Sequence, residues 1–160
     1  MAPVTSLRVF KCLSAAFLAM TMACTPVTML PETQIPLRNP TAPVASQADV
    51  TLDRLAGDWI VVQSSMDVAE RTVTVKGATF GFGATALPFQ PIGKGRFLLG
   101  DEEIWVHWLD INNRTAVLGE PGGRRVWIMD KTGHPGERLN AAHKILEWYG
   151  YDLSRVKDLR

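Results

Sequence analysis

The 160-residue sequence predicts an all-β domain, a short up-and-down antiparallel β-barrel of about eight strands, with one C-terminal α-helix packed on its outside. Three observations point there. Short runs rich in Val, Ile, Phe, Thr and Trp are separated by closely spaced Gly, Pro and Asn turns. The strongest runs, Glu103–Asp110 and Arg124–Asp130, are packed with Trp, Ile and Val. The hydrophobic period then changes once, near the C-terminus, from two to about 3.6.

The predicted strands follow in order as Asp58–Met66, Arg71–Lys76, Thr79–Ala84, Ala86–Gln90, Arg96–Leu99, Glu103–Asp110, Arg114–Glu120 and Arg124–Asp130. Gly77, Gly83, Gly93 with Gly95, Gly100-Asp101, Asn112-Asn113 and Pro121-Gly122-Gly123 supply the turns between them. The pattern suits a meander, either a closed barrel or a sandwich. From Pro135 to Tyr149, Leu139, Ala142, Leu146 and Tyr149 share one helical face. Pro135 fits the first helical position and Gly150 a left-handed stop. A helix this short needs the outside of the sheet to cover its apolar face.

The expected organisation has three parts, a signal peptide over 1–23, a lipidated N-terminus and Pro-rich linker over 24–49, and the folded domain over 50–160. Arg8 and Lys11 precede the apolar run Cys12 to Met22, which is too short for a bilayer-spanning helix of about 20 residues. A basic flank, a short apolar run and a small residue at Ala23 fit an export signal. Pro26, Pro31, Pro36, Pro40 and Pro43, without an intervening Gly, favour an extended tether. Lys plus Arg number 17 against 16 Asp plus Glu, a formal charge of +1, so no electrostatic footprint for nucleic acid is present. Two cysteines are too few for a disulfide framework or a four-thiolate zinc site, and no cofactor or metal is expected.

Thr21-Met22-Ala23-Cys24 resembles the lipobox of bacterial lipoproteins, in which the cysteine is acylated and becomes the mature N-terminus. Cleavage there would leave Cys24 as the single cysteine of the mature chain, and acylation would use an otherwise idle thiol. The alternative is ordinary signal cleavage that leaves Cys24 free. Gly57-Asp58-Trp59 resembles the Gly-x-Trp signature of lipocalins. Leu109-Asp110 with the run Arg114 to Pro121 looks like that family's paired hairpin strands, and Arg125 to Thr132 is similar to its last barrel strand in bacteria. Gly150-Tyr151-Asp152 and Ser154-Arg155-Val156 complete the order. Lys131 stands where the family carries an Arg over the Trp59 indole, Asn113 stands at a usual Tyr, and residues 67–102 are shorter than usual. The resemblance assigns Gly57, Trp59 and Lys131 to structure.

What the resemblance implies is a non-enzymatic protein of the cell envelope, anchored to the outer membrane and facing the periplasm. It would bind a small apolar molecule such as a fatty acid, palmitate included, or a lysophospholipid. Strand alternation and the family alignment place Val61, Gln63, Phe97, Ile104, Val106, Trp108, Trp127 and Met129 on the inward, ligand-binding face. Gln63 would be the polar handle, with Trp105 and His107 outside. His107, His134 and His143 fall in no metal-ligand spacing, and no nucleophile elbow or phosphate loop is present. His143 and Glu147, one helical turn apart, read as a solvated pair. The other outcome for so short a barrel is an interior filled by its own side chains. It would then be a protein-binding module, such as a periplasmic protease inhibitor or an envelope-assembly partner.

Overall fold

The computed structural model describes residues 35–160. The signal peptide, Cys24 and the first part of the expected linker lie outside the described residues. A nine-stranded antiparallel sheet closes on itself in the order β2-β3-β4-β5-β6-β7-β8-β1, with β9 added beside β1. The strands are β1 Gly57–Ser64, β2 Thr72–Lys76, β3 Thr79–Phe82, β4 Thr85–Gly93, β5 Arg96–Leu99, β6 Glu102–Leu109, β7 Thr115–Gly119, β8 Val126–Asp130 and β9 Lys157–Asp158. Closure comes from β1, which pairs with β2 through Gly57–Ile60 and with β8 through Ile60–Ser64. All eight strands predicted from the sequence are present, and α2 (Glu137–Trp148) packs outside as expected.

Three features were not foreseen, the short strand β9 among them. A one-turn helix, α1 (Leu52–Leu55), is capped by the Thr51 hydroxyl on the Arg54 N–H and carries Leu55 into the core. β4 spans the Pro-broken region because it pairs with β3 through Thr85–Pro88 and with β5 through Phe89–Gly93. Each half needs partners mostly on one side, so Pro88 and Pro91 are tolerated.

The linker expectation is corrected for residues 35–49, which form a strap bound to the barrel. Leu37 is buried under α2, the Asn39 N–H donates to Gly150 O, and the Gln47 N–H donates to Val106 O on β6. Arg38, though basic and near a turn, is buried with its guanidinium donating to the carbonyls of Pro121, Asn39, Ala42 and Tyr149. Composition suggests an extended chain. It cannot show that extended backbone will find carbonyls and N–H groups to bind.

Antiparallel alternation gives the barrel two ends. The floor holds α1, the start of β1 and the β2–β3, β4–β5 and β6–β7 turns, while the mouth holds the other four turns. The strap runs from the mouth, where Arg38 meets Pro121, down past β6 and into α1 at the floor. Side chains divide into an interior core and an outer layer in which Val62, Val117, Val126 and Ile128 pack against Leu139, Ala142 and Leu146 of α2.

Candidate functional site

The floor is sealed. Trp59 is buried and donates its indole N–H to Leu55 O at 2.8 Å. Lys131 Nζ lies 4.9 Å from the centre of that ring and donates to Ala56 O at 2.9 Å. Lys131 thereby covers the indole with its stem and a point charge. Gly57 at φ 113 brings the chain in close to Lys131, a conformation that suits glycine.

The interior above the floor is apolar and contributed by every strand of the barrel. Six of the eight predicted inward residues, Val61, Phe97, Ile104, Val106, Trp127 and Met129, belong to it. Gln63 and Trp108 do not. On β1 the register runs Val61↔Met129 and then Gln63↔Ile128, so a β-bulge at Val62 puts Gln63 on the outer face. There Gln63 Oε1 accepts from His143 Nε2 at 2.6 Å. A second bulge at His107 makes Trp108 pair with outward Val117 and turns Leu109 inward against Ala116. Trp108 packs against the outer layer. His143 on α2 therefore partners Gln63 on the outer face of the barrel, which corrects the solvated His143–Glu147 pair.

Sequence reasoning missed the largest part of the interior. Phe80 on β3 lies 5.1 Å from Phe89 on β4, which stacks on Phe97 of β5 at 4.4 Å. Phe80 also reaches Trp127 of β8, edge-on at 6.4 Å between centroids, although β1 and β2 separate their strands. Four rings thus bridge the barrel and fill much of what would be a deep cup. The signal was Phe80 and Phe82 two residues apart and Phe89 between prolines, in a region whose Gly and Pro content masked its alternation.

At the mouth the apolar interior meets solvent. Leu87 pairs directly with Phe80, which puts it on the inward face, yet it is 38% exposed. Met66, Phe82 and Leu159 pack half-buried against the core nearby. β9 pairs with Gln63 and Ser64 where β2 has left β1, and the Leu159 N–H donates to Val62 O at 2.9 Å. The C-terminal residues thereby close the gap between β1 and β2. Two polar groups face inward here. Ser64 pairs with Trp127, is buried, and accepts from the Met66 N–H at 3.0 Å. Trp127 is 3% exposed, and its Nε1–H has no hydrogen-bond acceptor among the described residues.

Two further polar clusters lie outside the barrel. Asp110 accepts from backbone N–H groups of the β6–β7 turn and of Thr115, and Asp130 from the Thr115 hydroxyl and the Thr132 N–H just after β8; against the opposing effect of burial these bonds hold both carboxyls below their usual range. His107 lies beneath the strap, with Nδ1 2.8 Å from Ala45 O and Nε2 2.8 Å from Tyr151 Oη. Among the described residues no three His, Cys, Asp or Glu side chains converge on a point where a metal could sit. A surface cleft of about 570 Å³ beside the strap is lined by Ile35, Leu37, Arg38, Glu147, Tyr151 and Asp152.

No protein-family model matches the sequence, and no curated protein matches it. Solved structures do. The chain is similar to insecticyanin from the tobacco hornworm Manduca sexta, at 13% identity and a TM-score of 0.55, over 72% of this chain and 83% of that one. It is also similar to H1 crustacyanin from the lobster Homarus americanus, at 12% identity over 81% and 91%, though with a TM-score of 0.44. The barrel has the lipocalin fold. This barrel carries an aromatic bridge from Phe80 to Trp127 and two bulges that turn Gln63 and Trp108 outward.

Proposed function

We propose that this protein binds one small, predominantly apolar molecule at the mouth of the barrel and carries it at the bacterial cell envelope. The observation that carries the reading is Leu87, an inward-facing apolar side chain left 38% exposed where the interior core reaches solvent. Met66, Phe82 and Leu159, half-buried on the same interior core, extend that apolar surface beyond one side chain, as a binding site for an apolar molecule requires. The aromatic bridge makes the site shallow, so a ligand enters by displacing Met66, Phe82 and Leu159, which are only half-buried. A fatty acid such as palmitate and a lysophospholipid remain within the proposed class. Export, acylation of Cys24 and an outer-membrane position facing the periplasm belong to the same proposal, supported by the Arg8–Ala23 segment and the lipobox-like residues before Cys24.

The test is mass spectrometry on the protein expressed with its own N-terminus in a bacterium. The expected result is a chain beginning at Cys24 with an acyl mass increment that Cys24→Ser abolishes, and under native conditions an additional co-purified apolar species. The ligand reading is overturned by a native mass that stays bare after incubation with fatty acids and lysophospholipids. That outcome would favour the second reading, a filled barrel serving as a protein-binding module, for which the Phe80–Trp127 bridge speaks.

A further inference from the structure

We infer that the mouth of the barrel faces the phospholipid bilayer that holds the acylated Cys24, which sets the apolar opening against lipid rather than against open water. The inference rests on the Cys24 anchoring proposed above and adds to it an orientation and a partner surface.

The strap decides where the anchor leaves the barrel, because its N-terminal end is bound to mouth-end residues. Arg38 Nε donates to Pro121 O in the β7–β8 turn, the Asp152 N–H donates to Leu37 O at 2.9 Å, and Arg155 Nη1 donates to Ile35 O at 2.9 Å. Asp152 and Arg155 lie between the end of α2 and β9, and β9 pairs with Gln63 and Ser64 at the mouth end of β1. From Arg38 the strap runs the other way, to Ser46, whose hydroxyl donates to Lys94 O in the floor turn between β4 and β5. The chain toward Cys24 therefore departs from the mouth.

Length turns that exit into an orientation. Ile35 stands eleven residues after Cys24, and a chain spans at most ~3.6 Å per residue, so the anchor lies within about 40 Å of the strap's first residue. Strands of eight residues, tilted as a barrel requires, give a wall about 20 Å high. To set the floor on the bilayer the tether has to run back along that wall and use about half its full reach, whereas the mouth reaches the bilayer with the tether slack.

The mouth also carries side chains that suit an interface. Leu87 lies at the opening, Trp148 at the mouth end of α2 is 72% exposed, and Ile35 is 77% exposed. Tryptophan, with an apolar body and one polar N–H, is enriched at the level of lipid headgroups. Exposed apolar side chains alone do not choose an end, since Ile92 and Ile111 lie at the floor. Charge does not choose either, because cations of the rim pair with its own carboxylates, Arg125 with Glu102, Lys157 with Asp67 and Arg160 with Asp158. The point of departure of the tether does.

The experiment uses the protein expressed with its own N-terminus, purified in its acylated form and added to vesicles of phosphatidylethanolamine and phosphatidylglycerol containing a lipid with a nitroxide on its headgroup. Acylation occupies the Cys24 thiol, so a single introduced cysteine takes a fluorophore selectively. Ala84→Cys labels the exposed β3–β4 turn at the mouth, and Asn112→Cys the exposed β6–β7 turn at the floor. Nitroxide quenching is short-ranged, and with the two turns about 20 Å apart the mouth label is expected to be quenched at least about threefold more strongly than the floor label. Asp101→Cys at the mouth and Ile111→Cys at the floor give a second pair if a variant of the first fails to fold. Equal quenching at the two ends, or stronger quenching at the floor, overturns this inference and leaves acylation intact. If mass spectrometry finds no acyl group on Cys24, the anchoring reading falls and this inference falls with it.

Discussion

Acidifying the protein from pH 7.5 to 4.5 demands a charge on His107 that the fold resists. The imidazole is 3% exposed, lies between the strap and β6, and faces Ala45 O through Nδ1 and Tyr151 Oη through Nε2. A carbonyl at Nδ1 requires the proton there, so the neutral imidazole has only an acceptor at Nε2, and Tyr151 Oη, which also lies 3.2 Å from Glu120 O, shares its one proton between the two. Burial, opposed by the Ala45 bond and reinforced by the positive charge of Arg38, lowers the His107 pKa from 6.5 to about 4. The unfolded chain therefore takes up a proton through pH 6.5 while the folded chain does not until about pH 4. Stability is full above pH 6.5 and is lost as the pH falls toward 4. At 1.36 kcal/mol per unit, the whole shift is worth roughly 3 kcal/mol, and about 2.5 kcal/mol of it is lost by pH 4.5. Urea denaturation of wild type and His107→Gln at both pH values measures it. The Gln amide can serve both partners without charge, so the variant is expected to lose about 2.5 kcal/mol less than wild type on acidification. Equal losses in the two proteins would refute the assignment, since the carboxylates that begin to titrate near pH 4.5 are common to both.

Other outcomes follow from the same geometry. Trp59→Ala removes a buried ring and the Leu55 bond at the floor, and a loss of about 3–5 kcal/mol by chemical denaturation is expected; Lys131→Ala removes the cation over the ring and the exposed bond to Ala56 O, together worth about 1–2 kcal/mol. Gln63→Ala and Trp108→Ala, both on the outer face, are expected to leave dodecane affinity within about twofold, whereas Met129→Arg abolishes binding or folding; a large affinity loss in Gln63→Ala would mean the bulge at Val62 is misplaced. Gly95→Ala meets a positive φ of 69 and overlaps the Gln47 carbonyl of the strap, so limited proteolysis near residue 47 is expected to accelerate severalfold over wild type.

The strands and the helix were legible because each carries its own period, and the floor was legible because Gly57, Trp59 and Lys131 stand together in a pattern with a structural meaning. The strap was not, because residues 35–49 are held by backbone carbonyls and N–H groups, which every sequence possesses. The aromatic bridge was hidden for another reason. Phe80, with Phe89 against it, meets Trp127 only after the barrel has closed, and closure depends on β1 changing partners along its length. Gly81, Gly83, Pro88 and Pro91 weakened the strand signal on which that placement depends.

Gln63 and Trp108 failed together, and the shared cause lies in how this barrel is covered. A strand with one wet face alternates apolar and polar residues, and a slipped register exposes itself at once. Val61, Val62, Gln63 and Ser64 are all buried, as are Val106 and His107, because β1 lies under α2 and β6 under the strap. With both faces covered, alternation no longer fixes which face a residue takes, and one extra residue in the strand is tolerated on either side. The bulges use that freedom. They deliver Gln63 to His143 and leave His107 between Ala45 and Tyr151, so each polar side chain reaches the outer layer, where it has a partner, and the interior is left to apolar groups. Trp127 stands apart in that division, a polar N–H kept on the apolar side with nothing described to receive it.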